Sequence, residues 1–97
     1  MPPAVPVLIE KIAYGAGEVH LVVWRVPAPV PPGQHLFKYR LAYIVDGQRV
    51  VGYDNERGKG DHKHVGEVQT RYRFVNVEKM VADFLGDVDR LRGEHDE

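Results

Sequence analysis

Alternation between apolar and polar positions is most regular over residues 37–45. Phe37, Tyr39, Leu41, Tyr43 and Val45 alternate with Lys38, Arg40, Ala42 and Ile44, the period-two pattern of a strand with one buried face and two bases on the other. Asp46-Gly47 follows directly and predicts a two-residue hairpin, because a primed turn needs positive φ at its centre and these residues tolerate it. The return strand is expected over Gln48 to Asp54. Upstream, Glu18 to Val26 is rich in β-branched and aromatic residues on both alternating sets (Val19, Val22, Val23, Trp24, Val26), which predicts a strand covered on both faces. Residues 1–16 satisfy a short helix and a strand equally through Val5, Val7, Leu8, Ile9 and Ile12, and Tyr14-Gly15-Ala16-Gly17 breaks either. Their structure stays unassigned.

Between these strands Pro27-Ala28-Pro29-Val30-Pro31-Pro32-Gly33 lacks ladder donors and reads as a stiff extended connection within the domain. After Asp54, Asn55-Glu56-Arg57-Gly58-Lys59-Gly60-Asp61 reads as a polar loop, and a further strand pairing has to accommodate His62 to Phe74, with an interruption expected at Gly66. The clearest element is last. Val77, Met80, Val81, Phe84, Leu85, Val88 and Leu91 recur at i, i+3, i+4, i+7, i+8, i+11 and i+14, one helical stripe to set against a sheet. Asn76 suits the N-cap, Glu78 the first turn, Arg90 and Arg92 the last, and Gly93 the stop. Gly86 marks a local weakness of about 1 kcal/mol relative to Ala, or a close-packing point, and residues 94–97 are expected to fray. The sum is one α+β domain over residues 1–97, with an antiparallel sheet of about four strands and a C-terminal amphipathic helix packed on one face.

Composition narrows the class of protein. Ninety-seven residues bury one core but rarely two. The absence of cysteine excludes disulfides and thiolate metal sites and fits a reducing compartment, so the cytoplasm is the expected location. The N-terminal Met1-Pro2-Pro3-Ala4-Val5-Pro6 lacks the features of a signal peptide, and apolar runs such as Leu21-Val22-Val23-Trp24 are far short of the roughly 20 residues of a membrane span. The net charge of -1 argues against a general nucleic-acid binder, but it conceals a basic middle (+3 over residues 35–73) and an acidic C-terminal segment (-4 over residues 76–97).

Candidate chemistry concentrates between Tyr53 and His64. In an extended segment His62 and His64 point to one face with Cα atoms about 6.5 Å apart. Two imidazoles so placed can serve as acid and base on one phosphodiester, taking the 2′-hydroxyl proton of RNA and protonating the departing 5′-oxygen. Lys59, Lys63, Arg71 and Arg73 offer positive charge for the transition state, and Tyr53 or Tyr72 a ring on which a base can stack. The same residue types also fit a metal site, with Asp54 or Asp61 joining His-x-His around Zn²⁺ or Mn²⁺, or a solvated structural pair. Asp54 can orient a neighbouring histidine, and Asn55 reads as a cap for backbone N–H groups. His20, His35 and His95 read as strand or tail residues without such company.

Tyr53-Asp54-Asn55, Gly58-Lys59-Gly60, Asp61-His62-Lys63-His64 and Tyr72-Arg73-Phe74 leading into Asn76 to Arg92 together resemble the TumE-type toxin family of bacterial toxin-antitoxin systems. The likeness extends upstream to Lys38-Tyr39-Arg40 and Trp24-Arg25-Val26-Pro27 and covers about Val19 through Leu91. It implies a toxin usually partnered by a helix-turn-helix antitoxin, and kinship with compact barnase/RelE-like ribonucleases. Carried over by position, His62 and His64 are the acid/base pair, with Asp54 and Lys59 or Lys63 in support, acting on RNA with no cofactor and no metal. One departure is the slightly acidic total, where RelE-like toxins carry a strongly basic surface. Two other classes stay open: a non-catalytic module whose helix docks a protein partner, and a metal-dependent hydrolase using His-x-His.

Overall fold

The computed structural model describes residues 3–95, and for residues 94 and 95 the backbone alone. Seven elements follow in order: β1 (Val5–Tyr14), β2 (Gly17–Arg25), β3 (Phe37–Val45), β4 (Gln48–Glu56), β5 (Gly60–Val65), β6 (Val68–Arg71) and α1 (Val77–His95). The strands form one antiparallel sheet in sequence order, an uninterrupted meander. The sheet has six strands where about four were expected, and both differences lie in the segments whose pattern was least regular. Residues 5–14, equally readable as helix or strand, pair with β2 through the turn at Gly15-Ala16. The segment after His62 folds back at Gly66, where φ is +60°, giving β5 and β6 with Val65 opposite Val68.

The hairpin between β3 and β4 turns at Asp46 (φ 52°) and Gly47 (φ 77°), the left-handed pair that a type I′ turn requires. β4 runs two residues beyond its expected end, to Glu56, by pairing Asn55 with Asp61 and Glu56 with Gly60 on β5, and on the β3 side Asn55 completes the ladder with its side chain. Its Oδ1 accepts from the Tyr39 N–H at 3.0 Å and its Nδ2 donates to the Phe37 carbonyl at 2.7 Å. The expected cap at Asn55 therefore holds the neighbouring strand.

One face of the sheet carries Val19, Leu21, Val23, Tyr39, Leu41, Tyr43, Val51 and Tyr53, all buried against Met80, Phe84 and Val88 of α1. The helix starts as its sequence demands, with Lys79 N–H donating to Asn76 Oδ1 at 2.7 Å. It does not stop at Gly93. That residue lacks the positive φ of a C-cap glycine, so the helix continues through the first half of the expected tail to His95, and residues 96 and 97 lie outside the described residues. Gly86 is not a close-packing point either, since a Cβ there would meet nothing nearer than Arg90 at 3.7 Å. Among the described residues no helix is long and apolar enough to cross a membrane.

The proline connection docks on the β4–β5 turn, where Gly58 N–H donates to the Pro31 carbonyl at 2.8 Å. Its end is pinned by His35, whose Nε2 lies 2.7 Å from Asp61 and whose ring stacks on Phe74. Tyr39 hydroxyl donates to the same Asp61 oxygen at 2.7 Å. His35 and Asp61 thus act as a structural clamp, and the Tyr39 hydroxyl, buried and bonded to a carboxylate, is held far above the usual phenol pKa.

Candidate active site on the open sheet face

With α1 covering one face of the sheet, chemistry is left to the other, and strand register decides which residues meet there. Arg40, Asp54, His62 and Arg71 are consecutive cross-strand partners on β3, β4, β5 and β6. The adjacent row is Ala42, Gly52, His64 and Gln69, whose two small members are buried. Val22 lies opposite Arg40, and Trp24 opposite Lys38. An open groove of about 480 Å³ runs along this face past Trp24, Lys38, Arg40, Arg49 and Asp54.

Arg49 reaches this groove because of a bulge. Strict alternation back from Val51 would turn it toward the helix, but the β3–β4 register shifts between Tyr43 and Ile44, so that Arg49 pairs with Ile44 and changes face. Its side chain then lies across Gly52, where a Cβ would stand 2.7 Å from Arg49 Cδ, and its guanidinium comes to 3.8 Å from Asp54 Oδ2. Gly52 thus leaves the corridor through which Arg49 approaches Asp54.

The two predicted imidazoles do share this face, with ring centroids 5.2 Å apart and planes near perpendicular at 74°. Their environments differ. His62 is buried, 6 % exposed, with Nδ1 3.0 Å from the Gly60 carbonyl and Nε2 2.7 Å from Asp54 Oδ1. The Gly60 backbone is fixed in turn by its left-handed φ of 76° and by Pro32 packed against it. His64 is half-buried and makes no hydrogen bond among the described residues. Burial first, and the Arg49 charge second, lower its pKa below the ordinary imidazole value, which favours the neutral ring at neutral pH.

Of the other sequence candidates, Arg71 and Lys59 join this face, both lining a depression beside His62. Arg73 is exposed beyond the end of β6. Tyr53 and Lys63 are turned the other way, as alternation along β4 and β5 dictates, and Tyr72, just past β6, reaches α1 as well. Lys63 Nζ and the Tyr53 hydroxyl both donate to Asp87 on α1, the former at 3.0 Å. Tyr72 donates to Asp83 at 2.7 Å. Tyr53 is fully buried, its ring against Tyr72 and Phe84. Both phenols have raised pKa values, through burial first and these carboxylates second. Burial alone would raise the Asp87 carboxyl, but hydrogen bonds from Tyr53, Lys63 and Arg90 outweigh it and hold the group below the usual range.

Lys38, Arg40, Arg49 and Trp24 were not singled out as site residues. Lys38 and Arg40 were legible as the polar set opposite Tyr39 and Leu41, whereas Arg49 depended on a bulge with no signal in the pattern. Around the histidines Lys38, Arg40, Arg49, Lys59 and Arg71 stand against Asp54 and Glu56, a local excess of positive charge. The acids of α1 lie on the far side of the sheet.

No curated protein and no solved structure matches the chain. A family model described as toxin TumE matches residues 4–92, a span that takes in every strand and the histidine pair. The chain belongs to the toxin TumE family.

Proposed function

We propose that this toxin cleaves RNA on the open face of its sheet by metal-independent proton transfer between His64, His62 and the substrate. The observation that carries the reading is a pair of imidazoles with ring centroids 5.2 Å apart, one of them in contact with Asp54, which itself lines a groove together with Lys38, Arg40 and Arg49. His64, its neutral ring favoured and without a hydrogen bond among the described residues, takes the 2′-hydroxyl proton. His62 supplies the proton to the departing 5′-oxygen from Nε2, which leaves Asp54 for the substrate while Nδ1 stays on the Gly60 carbonyl. The resulting products are a 2′,3′-cyclic phosphate and a 5′-hydroxyl. Arg40, Arg49 and Arg71 are disposed to receive the phosphate and its transition-state charge, and Trp24 offers the stacking surface that Tyr53 and Tyr72 do not. Membership of a toxin family implies an antitoxin partner in general terms; a helix-turn-helix protein is the expected type.

The test is incubation of purified protein with total RNA in EDTA, comparing wild type with the His62→Ala/His64→Ala double variant. Cleavage by wild type alone, leaving cyclic phosphate ends, is the expected result. A folded double variant that still cleaves RNA and still arrests growth would sink the proposal.

A further inference from the structure

We infer that Asp54, His62 and His64 also form a three-ligand site for a zinc ion, and that an ion bound there silences the site. Each of the three offers one ligand atom, and these atoms all lie within 4.8 Å of one another. Tetrahedral coordination at bond lengths of about 2.0–2.1 Å needs ligands about 3.3 Å apart, so the widest pair closes by up to about 1.5 Å while His62 Nε2 and Asp54 Oδ1, now at 2.7 Å, move apart by about 0.6 Å. Two strands already packed in register supply all three residues.

A second observation points to a cation. A ring nitrogen that meets a carbonyl oxygen must donate, so the contact of His62 Nδ1 with the Gly60 carbonyl at 3.0 Å fixes the proton there and leaves the Nε2 lone pair of the neutral ring facing Asp54. That lone pair meets Oδ1 at 2.7 Å, an acceptor against an acceptor. Asp54 Oδ1 is itself buried and has no hydrogen-bond partner besides that nitrogen. Two species resolve this conflict: a proton on Nε2, which the cleavage reaction uses, or a metal ion. A backbone carbonyl holding the outer nitrogen is also the usual support of a metal-ligating histidine, since it fixes tautomer and ring orientation.

The donor set of two imidazoles and one carboxylate suits Zn²⁺ better than Mg²⁺ or Ca²⁺, which prefer oxygen alone. Arg49 does not close the site. It stands 3.8 Å from the other carboxylate oxygen, Oδ2, on a flexible and partly exposed stem. A nitrogen whose lone pair binds zinc cannot accept a proton, so the ion and the acid–base cycle exclude each other. The silencing half of the inference rests on the RNA-cleavage reading; the binding half does not.

Zinc sulfate titrated into EDTA-stripped and dialysed protein separates the two. Trp24, the chain's single tryptophan, lines the groove beside Asp54 and reports binding by fluorescence, with calorimetry giving the stoichiometry. One equivalent is expected to bind, at least tenfold more weakly in His64→Ala and Asp54→Asn, and with unchanged affinity in His20→Ala, a histidine of the same face outside the trio. Circular dichroism melts of each variant show whether it is folded. Absence of saturable binding, or equal affinity in both trio variants, overturns the site. In the same preparation, RNA cleavage measured in EDTA is expected to fall more than tenfold at one equivalent of free zinc and to return when chelator is restored. Cleavage undiminished by saturating zinc, or present only with zinc, overturns the silencing role. If wild type cleaves no RNA under any condition, the cleavage reading fails while the titration still decides the metal site.

Discussion

Asn55→Ala is the substitution whose cost can be worked most directly from the structure. Asn55 is 1 % exposed, and its amide supplies both partners that β3 lacks where regular pairing with β4 ends: the acceptor for Tyr39 N–H and the donor for the Phe37 carbonyl. Removing the amide leaves two backbone groups without partners, each costing about 1–3 kcal/mol where water cannot enter. Partial hydration from the strand end brings the sum to about 3 kcal/mol. In a domain of this size each kcal/mol shifts the melting temperature by about 4–8 °C, so a fall of about 12–24 °C is expected. Calorimetry measures that fall, and amide exchange at Tyr39 locates it. Asn55→Asp separates shape from donation, because it keeps the acceptor for Tyr39 but faces the Phe37 carbonyl with an oxygen, and it should lose at least as much stability at neutral pH. A fall of less than about 3 °C in Asn55→Ala would show that the amide is not what closes the ladder. The consequence reaches the site, since Asp54 is the next residue and its position opposite His62 depends on β4 holding its register.

Tyr53→Phe removes one hydrogen bond to buried Asp87 and should cost about 1–2 kcal/mol in a denaturant titration, with RNA cleavage below the melting temperature unchanged because the residue lies on the helix side. Asp87 and Asp83 have folded-state pKa values below their unfolded ones, Asp83 through Lys79 first and Tyr72 second. Their contribution is therefore fully present above about pH 4 and lost as pH falls through the lowered values; thermal melts between pH 2 and 7 should show that loss, and Asp87→Asn should flatten it despite its lower starting stability. Arg40→Ala and Arg49→Ala should each weaken RNA binding and reduce the slope of log affinity against log salt by about 0.7, the amount expected for one phosphate contact on a single strand. An unchanged slope would remove that arginine from the RNA groove.

The fold was legible wherever one physical signal dominated. Alternation over residues 37–45, the Asp46-Gly47 turn and the helical stripe from Val77 to Leu91 each admit one local structure, and each formed. Residues 5–14 did not announce themselves because an apolar run is compatible with either period, and pairing with β2 decided the matter. The histidine pair was legible because its spacing in an extended strand puts both rings on one side. Lys63 and Tyr72 were harder to sort, since proximity in sequence to His62 and His64 carries no information about face. Once residues 60–65 are a strand, the residue between two histidines must point away from both.

A slightly acidic total charge is compatible with RNA binding on the open face. A binding surface responds to the charge within about a Debye length, 8–10 Å near physiological salt, and not to a sum over the molecule. The sheet is a partition of that scale. The acidic α1 lies on one side of it, where Asp83 and Asp87 are already engaged by Lys79, Lys63 and Arg90. Lys38, Arg40, Arg49 and Arg71 lie on the other, with Arg40 and Arg71 flanking the Asp54–His62 pair along a single cross-strand row. Neutralising an outward acid of α1, as in Glu78→Gln, should therefore leave RNA affinity nearly unchanged although it raises the net charge by one unit. Arg40→Ala lowers that charge by the same amount and should weaken binding. Equal and opposite effects of the two substitutions would mean that total charge governs the interaction and that the open face has no special part in it.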